Sequence, residues 1–429
     1  MNAAVTTPSR VRGTWPPAGL PRLLPSQPEG LRTHLSRFGG VPYRGRPGLL
    51  IPEAEAAGLT GRGGAAFPVH RKLAVVAARR GHKVIVANGA ESEPASRKDE
   101  VLLWAAPHLV LDGLQLAAEA VGADEAYLYL HRGSGSGIAR ALADRQARDL
   151  DRLPVTIAQA PPRFLAGQES ALVSRIGGGP AIPAFTPPRV TERGLRGAPT
   201  LVQNVETLAH LALIGRFGPH WFREAGTRAE PGTMLTTIYG VDGRCRVAET
   251  QLGVRLRTLL SVDSEVQAWL VGGYHGTWLP MPDAAGLTLD NQSLRRLGAA
   301  AGAGVLAVLP SDRCGLAETA RVASYLAAES AGQCGPCLNG LPRIASVLAE
   351  LAGLRPRRGV RADIERWAGL VTGRGACSHP DGAARFVRSA LTVFGPELAR
   401  HEKGRCYAAN RMPFLPLPGE VPRYEEDWA

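Results

Sequence analysis

Short apolar runs alternate with helical stretches between residues 41 and 230, and this alternation constrains the fold more than any other feature of the chain. Apolar runs predict three strands, at residues 84–87, 125–131 and 155–158. Stretches with helical periodicity predict two helices, at residues 107–121 and 138–148. Strands that alternate with helices pair in parallel, because the chain must cross back over the sheet between them. We therefore predict an α/β fold with a Rossmann-like parallel sheet over residues 41–230.

The pattern changes after residue 230. Residues 234–241 and 269–273 are β-like between glycine-rich turns, which predicts a small β-rich domain. Alanine-rich or amphipathic stretches at residues 316–330, 341–354 and within 372–401 predict a C-terminal helical bundle. The predicted segments are a flexible arm (1–40), the α/β domain (41–230), the β-rich domain (231–285), a connecting segment that ends in a short strand (286–312), the helical domain (313–402) and a tail (403–429).

Composition limits the classes of function. The formal charge is +12, but the arginines are scattered and lack interleaved aromatics, so we predict no nucleic-acid partner. No uninterrupted apolar stretch reaches the ~18 residues of a membrane span, and the N-terminus lacks the apolar core of a secretory signal. Six cysteines are too few for a disulfide scaffold, and one C-x-x-C pair indicates redox or metal chemistry in a reducing compartment. We predict a cytoplasmic protein that reaches a membrane only through partners.

Residues 61–68, GRGGAAFP, form a glycine-rich loop before a predicted helix. Closely spaced glycines let backbone N–H groups approach an anion, and the N-terminus of a helix favours negative charge. Arg62 and Lys72 could neutralise a phosphate at this loop. The spacing matches neither of the two common nucleotide loops, G-x-x-x-x-G-K-[ST] and G-x-G-x-x-G. On spacing alone, a plain glycine-rich turn is the alternative.

A second polar segment, NGAESEP at residues 88–94, follows the first predicted strand directly. The carboxyl ends of parallel strands are where open α/β sheets bind ligands, and amide and carboxylate groups there can bind a polar ring. Together the two segments resemble the NADH-binding FMN/iron–sulfur component of respiratory complex I, its F subunit, and the related components of bacterial dehydrogenases and hydrogenases. That family carries a GRGGAGFP-type loop with a Lys shortly after it, and then an NADEGEP-type loop.

Further motifs follow in the order of that family. AGQESAL at residues 166–172 resembles its CGEETAL segment, and GAPT at 197–200 with NVETL at 204–208 resembles its G-x-P-T and NNVETL segments. Residues from 231 onward resemble its small β-grasp domain, which is of the soluble-ligand-binding (SLBB) type. The resemblance extends from about residue 40 to about residue 400.

The resemblance implies FMN as a cofactor. The positions it implies for FMN are Gly61, Arg62, Gly63, Gly64, Lys72, Asn88, Glu91, Gly167, Gln203, Asn204 and Thr207. The positions it implies for NAD(P)H are Phe67, Glu93 and Glu169. The flavin segments depart from the family at three positions, where Ala90 replaces an Asp, Gln168 replaces a Glu and Gln203 replaces an Asn.

The departures are larger on the side of the dinucleotide. The family stacks NADH on aromatic rings, but Val75 stands at the second aromatic position, and Thr186 and Arg189 replace a Lys and a Phe. Losing a stacking ring and losing a cation each cost on the order of 1 kcal/mol or more. Arg189 could instead bind the extra phosphate of NADPH. We therefore predict NAD(P)H or a ferredoxin-like protein as the electron donor.

The cysteine segment SAGQCGPC, residues 330–337, resembles the family's S-C-G-x-C-x-P-C motif, which holds an iron–sulfur cluster together with a later Cys. The resemblance implies Cys334, Cys337 and Cys377 as ligands, and Ala331 replaces the first Cys. Three hypotheses follow: a three-iron cluster (3Fe-4S), a four-iron cluster (4Fe-4S) with a non-Cys ligand such as His379, or no cluster. The remaining cysteines are interpreted as isolated packing residues: Cys245, Cys314 and Cys406.

The predicted function is that of an electron-transfer flavoprotein subunit, an oxidoreductase of NADH dehydrogenase type that passes electrons between FMN and an iron–sulfur centre. A flavin takes a hydride as two electrons and releases them singly, which suits a site beside an iron–sulfur relay. The expected partners are other redox subunits or a ferredoxin-like protein. The alternatives are a degenerate paralogue that serves as a scaffold in a redox assembly, and a non-redox module that binds a small ligand.

Overall fold

The computed structural model describes residues 22–131, 136–260, 265–409 and 412–418. Its first sheet has four parallel strands in the order β3-β2-β1-β4. These strands are β1 (Val84–Asn88), β2 (Glu125–His131), β3 (Val155–Ala160) and β4 (Thr200–Asn204). The predicted parallel sheet is confirmed. The pattern missed β4, because its short apolar run ends in the polar residues Gln203 and Asn204.

The described helices up to residue 223 are α1 (Leu31–Phe38), α2 (Leu50–Ala57), α3 (Val69–Ala77), α4 (Lys98–Ala105), α5 (Pro107–Val121), α6 (Ser136–Gln146), α7 (Glu169–Ile176) and α8 (Val205–Arg223). Helix α5 is buried on almost every side and packs closely on α8. A Cβ atom on Gly113 would lie 1.8 Å from the carbonyl oxygen of Leu208, so only glycine fits there. Within the described ranges, no single helix is long and apolar enough to span a membrane, and α4 and α5 meet that criterion only as a pair bent by 98°.

A second sheet follows, with five strands in the order β6-β5-β9-β7-β8. These strands are β5 (Thr233–Tyr239), β6 (Cys245–Gln251), β7 (Val266–Val271), β8 (Thr277–Pro280) and β9 (Val305–Pro310). Only β5 and β9 pair in parallel. The prediction that residues 286–312 merely connect two domains is wrong, because β9 is the central strand. All six of its residues are buried, which a connecting segment on the surface would not allow.

The C-terminal helical bundle is also confirmed. Its helices, with the short α9 that precedes β9, are α9 (Asn291–Leu294), α10 (Gly315–Ala328), α11 (Leu341–Ala352), α12 (Val360–Val371), α13 (His379–Val393) and α14 (Gly395–His401). Their apolar faces share one core with the inner residues of the second sheet. The bundle therefore lies against the second sheet and is held there by burial of apolar surface.

The chain ends are more ordered than predicted where the structure describes them. Residues 22–40 belong to the predicted flexible arm, yet the backbone N–H of Leu23 donates to Glu249 Oε2 at 2.8 Å and α1 packs on the body of the protein. In the predicted tail, the backbone N–H of Leu415 donates to Glu318 Oε2 at 3.0 Å. These partners lie far away in the sequence, so local composition could not reveal them. Residues 1–21 and 419–429 lie outside the described ranges.

Candidate functional site

A cavity of about 870 Å³ lies where β1 and β4 end, at the carboxyl edge of the first sheet. Its opposite wall comes from turns of the second sheet, which include Gly272 and Gly302. The predicted cofactor and substrate residues that line it are Gly61, Gly63, Gly64, Phe67, Lys72, Asn88, Glu91, Glu93, Gly167, Glu169, Gln203, Asn204 and Thr207. Ligands of open α/β sheets bind at this edge. The sequence segments implied by the resemblance therefore meet at one place.

Arg62 is the exception, because its side chain points into the protein. Its Nε donates to the carbonyl oxygen of Thr233 at 3.1 Å and its Nη1 donates to Thr60 Oγ1 at 2.8 Å. Burial lowers the pKa of this guanidinium. The prediction that Arg62 neutralises a phosphate is wrong for the side chain. Arg62 supports the glycine loop from beneath, where its backbone N–H also donates to Thr207 Oγ1 at 2.9 Å.

The glycine loop is closed by a hydrogen bond from the Gly61 N–H to the Phe67 carbonyl oxygen at 2.9 Å. It lies directly against the end of β4, because a Cβ atom on Gly63 would be 3.3 Å from the Cβ of Asn204. Helix α3 begins just after the loop, and Lys72 lies in its first turn, where Nζ is 2.6 Å from Glu169 Oε2. A helix N-terminus and a cation on the cavity wall together suit a phosphate group.

Amide side chains at the ends of β1 and β4 form the polar floor of the cavity. Asn88 Nδ2 donates to the Gly167 carbonyl oxygen at 2.9 Å, and Asn204 Oδ1 caps α8 by accepting the Glu206 N–H at 3.0 Å. Gln203 is different, because its buried Nε2 has no hydrogen-bond partner among the described residues. A buried donor without a partner costs about 1–3 kcal/mol. An acceptor on a bound molecule would satisfy it, so the floor fits a polar ring.

A buried charge cluster that the sequence did not reveal lies beside this floor. Lys98 Nζ is 2.7 Å from Asp99 Oδ1 and 3.0 Å from Glu206 Oε2, and Glu91 Oε2 accepts the Asp99 N–H at 2.6 Å. Burial would lower the pKa of Lys98, but the surrounding carboxylates raise it above its ordinary value. Lys98 and Asp99 line the cavity and place a fixed cation and anion at its base. The sequence around these two residues resembles the exposed first turn of a helix, so it does not reveal that they are buried.

Two cavity carboxyl groups have strongly raised pKa values. Burial, and then the neighbouring Asp99, raise the pKa of Glu91 to about 8. Burial raises the pKa of Glu93 to about 7, although Glu93 Oε2 accepts the Tyr274 N–H at 2.9 Å. Glu93 thereby links the first sheet's loop to the second sheet. Carboxyl groups with perturbed pKa values occur both at functional sites and in structural networks.

These raised pKa values predict that the flavin-free protein becomes less stable as the pH rises from about 5 to about 8. The unfolded chain loses both protons near pH 4.5, whereas folded Glu91 holds its proton to about pH 8 and Glu93 to about pH 7. The folded state therefore binds more protons in this window, so its free energy of unfolding falls with rising pH. Melting temperatures across this range should show a flatter profile for Glu91→Gln and an unchanged one for Glu100→Gln, an exposed neighbour. A profile as steep in Glu91→Gln as in the wild type would contradict this.

Two neighbouring histidines, whose rings are tilted by 52° to each other, form another part of the cavity wall. His379 Nε2 donates to the Leu326 carbonyl oxygen at 2.8 Å, so its Nδ1 accepts from His275 Nε2 at 3.0 Å. Burial lowers the pKa of His379 to about 4, and that of His275 lies well below its ordinary value for the same reason. Both rings are neutral at pH 7. With both nitrogens of His379 engaged, the structure does not support the hypothesis that His379 is an iron ligand.

The three predicted cluster cysteines lie near one another behind this wall. Cys337 is buried in a π-helical turn, Pro336–Gly340. Burial, with the neighbouring thiols of Cys334 and Cys377, raises its pKa to about 12. Cys377 also lines the cavity. The cavity and the thiol group therefore share a wall.

Comparisons with known proteins agree with this geometry. The model of the Nuo51 FMN-binding domain matches residues 54–213, and that of the NADH-ubiquinone oxidoreductase-F iron-sulfur binding region matches residues 317–401. The F subunit of the NADH-quinone oxidoreductase of Streptomyces coelicolor is 30% identical over 402 residues, which are 88% of this chain and 86% of that protein. The chain belongs to the family of NADH-quinone oxidoreductase F subunits. The F 2 subunit of Rhizobium meliloti is 29% identical and matches over 84% of this chain and 90% of its own.

A solved structure supports the same family. The crystal structure of an NAD⁺-reducing [NiFe]-hydrogenase in the H₂-reduced state matches with a TM-score of 0.77 at 27% identity, over 87% of this chain and 67% of that chain. The resemblance inferred from the sequence motifs is thus confirmed, and so is the mixed α/β architecture.

The departures from the F-subunit pattern fall into two groups, since those in the flavin segments line the cavity and those at the dinucleotide positions are exposed. Gln168 Oε1 caps α7 by accepting the Ser170 N–H at 2.7 Å, and the Ala90 N–H donates to Asn88 Oδ1 at 3.2 Å. Val75 is 43% exposed and does not line the cavity. Thr186 and Arg189 are also exposed and away from the cavity wall. The departures on the dinucleotide side therefore lie outside the cavity itself.

Proposed function

We propose that this F-subunit homologue passes electrons between FMN and an iron–sulfur cluster, with NAD(H) as its two-electron partner. The observation that carries the proposal is the position of Cys377, which lines the cavity and neighbours the other cluster cysteines. FMN exchanges a hydride with a nicotinamide and exchanges single electrons with a cluster. A shared wall keeps the transfer path between the two groups short.

The residues of the cavity fit FMN at both ends. Lys72 and the glycine loop at the start of α3 suit its phosphate. Gln203, with its unpartnered Nε2, and Asn88 suit the polar edge of its ring. Lys98 and Asp99 hold Asn204 in place from below, since Asn204 Nδ2 donates to Asp99 Oδ2 at 2.7 Å.

The outer part of the cavity suits a nicotinamide dinucleotide. The ring of Phe67 is 45% exposed at the cavity mouth and offers a free face for stacking. The similarity to an NADH-quinone oxidoreductase subunit and to an NAD⁺-reducing hydrogenase favours NAD(H) over NADPH or a ferredoxin-like donor. Other redox subunits are the proposed partners, and any contact with a membrane would be made through them.

The cysteine site supports a cluster with three protein thiolates. Cys334, Cys337 and Cys377 supply them, and Ala331 supplies none. Three thiolates suffice for a three-iron cluster, whereas a four-iron cluster would need a further ligand on one iron. A scaffold without a cluster is the second candidate, and the absence of the fourth Cys is the one observation that favours it.

The test is the visible spectrum of the protein after reconstitution with FMN, iron and sulfide, followed by addition of NADH. We expect flavin absorbance that NADH bleaches within seconds in a stopped-flow experiment. Phe67→Ala should raise the KM for NADH about fivefold, since one aromatic contact contributes about 1 kcal/mol. Trp104→Ala, which removes an exposed ring away from the cavity, should not.

Each contrary outcome identifies a different error. A protein that stays colourless after reconstitution would reject the redox proposal and favour the scaffold. A flavin that is reduced by a ferredoxin but not by NADH would leave FMN binding intact and reject NAD(H) as the partner.

A further inference from the structure

Four side chains outside the cavity converge in the helical bundle, at the end of α10 that lies away from Cys334 and Cys337. They are Cys314, Glu397, His401 and Cys406, and their nearest sulfur, nitrogen and oxygen atoms all lie within 4.8 Å of one another. Cys314 precedes α10, Glu397 and His401 are one turn apart in α14, and Cys406 follows α14. The interpretation that Cys314 and Cys406 are isolated is therefore wrong. Their separation in the sequence gives no sign that they are neighbours in the fold.

The histidine in this group is oriented by a backbone partner. His401 is fully buried, and its Nδ1 donates to the Leu351 carbonyl oxygen at 3.0 Å. Its Nε2 therefore presents a lone pair, and it lies 3.6 Å from Cys314 Sγ and 3.8 Å from Glu397 Oε1. Metal-bound histidines characteristically donate their other ring N–H to a carbonyl or carboxylate, which fixes the tautomer.

The other members of the group are held in a similar way. Glu397 Oε2 accepts from Gln267 Nε2 at 3.0 Å. Its Oε1 is buried beside the thiols, and the carboxylate interacts with Cys314. Cys314 Sγ accepts the Ala317 N–H at 3.2 Å, which fixes the position of the sulfur. Two thiols and a carboxylate in one buried place repel one another as anions unless a cation lies between them.

We propose that these four side chains bind one Zn²⁺ ion as a structural site, independently of the proposed flavin function. Thiolate, imidazole and carboxylate are the ligands zinc prefers, and four protein ligands make a closed, non-catalytic site. Tetrahedral bonds of about 2.0–2.3 Å place neighbouring ligand atoms about 3.3–3.8 Å apart. The separations of 3.6 Å and 3.8 Å from His401 Nε2 lie within this range.

The zinc site is separate from the iron–sulfur site. Helix α10 has 14 residues and so is about 21 Å long, at 1.5 Å per residue. Cys314 precedes its first residue, whereas Cys334 and Cys337 follow its last. The two groups of thiols therefore lie at opposite ends of one helix, and loss of one site should leave the other intact.

The position of the ion explains what it would stabilise. A bound ion would connect three places: Cys314 between β9 and α10, helix α14, and the segment after α14 that carries Cys406. That following segment also returns to α10, where the Phe414 N–H donates to Glu318 Oε1 at 3.1 Å. Zinc would therefore fasten the C-terminal segment to the helical bundle.

The experiment is metal analysis of the full-length protein, with zinc and iron measured together. We expect about one zinc per chain, lost in Cys406→Ser and reduced in Glu397→Gln. Cys337→Ser should lose iron and keep zinc, and Cys245→Ser, at an exposed cysteine outside both groups, should keep both. Removal of zinc with a chelator should lower the melting temperature of the wild type by several degrees and that of Cys406→Ser by none.

Cobalt gives a second test that does not depend on how the variants fold. Co²⁺ added to the zinc-free wild type should produce the intense visible bands of tetrahedral thiolate coordination, and Zn²⁺ should abolish them. The proposal is overturned if zinc is absent and no such bands form. It is also overturned if mass spectrometry finds a Cys314–Cys406 disulfide in protein purified without oxidant, or if Cys406→Ser keeps its full zinc content.

Discussion

Lys72→Glu is expected to yield a purified protein without bound FMN. Lys72 lies in the first turn of α3 behind the glycine loop. Its Nζ lies at the cavity wall, 2.6 Å from Glu169 Oε2. Loss of a charge-assisted hydrogen bond costs about 1.5–3 kcal/mol, and a carboxylate in the same place adds repulsion toward a phosphate. Affinity for FMN should therefore fall by about 10- to 150-fold from the lost hydrogen bond, and further from the repulsion. Fluorescence of flavin released on denaturation measures the retained FMN.

Arg71→Glu is the matched control, because it makes the same change of charge one residue earlier on the exposed side of α3. It should retain FMN fully. Lys72→Gln should fall between the two, since it removes the cation without adding an anion. Equal flavin content in Lys72→Glu and Arg71→Glu would show that the phosphate end of the cofactor lies elsewhere in the cavity.

Periodicity suffices to predict three of the four strands of the first sheet, but only some of the helices that cover it. The run at 84–87 corresponds to β1, and the stretch at 107–121 corresponds to α5 with the same bounds. Both segments are buried in nearly every residue, so hydrophobic pattern alone determines them. β9 shows where this stops. The strand itself is predictable, but its central place in the second sheet depends on pairing with β5 and β7, which no local pattern contains.

The direction of a side chain is the second limit. An Arg within a glycine-rich loop suggests an anion partner, yet Arg62 is turned inward by carbonyl groups of residues far along the chain. In the same way, Lys98 has buried partners in Asp99 and Glu206, and the second lies in another element. Motif spacing could locate the loops of the site, because each loop is local. It could not show which charged groups face the cavity and which support it from behind.

Cys377→Ser is expected to abolish the iron–sulfur cluster and to leave FMN in place. Only three thiolates are available, so loss of one leaves too few protein ligands to hold a cubane or a three-iron cluster. The proposed flavin contacts are Lys72 and the ends of β1 and β4, which are separate from this cysteine in the sequence and on the cavity wall. Iron and sulfide content, together with EPR, should show the loss, while the flavin absorbance persists and NADH still reduces it. Cys245→Ser, at an exposed cysteine of the second sheet, should change neither cofactor.

Ala331→Cys extends this prediction in the opposite direction. It restores the fourth thiolate of the family motif, so the iron content should rise toward that of a four-iron cluster. A three-iron cluster is paramagnetic when oxidised, whereas a four-iron cluster of this type is paramagnetic when reduced. The EPR signal should therefore move from the oxidised to the reduced protein in Ala331→Cys. If Cys377→Ser retains the full iron content, or if Ala331→Cys leaves the EPR spectra unchanged, the three-thiolate site is not where the cluster is bound.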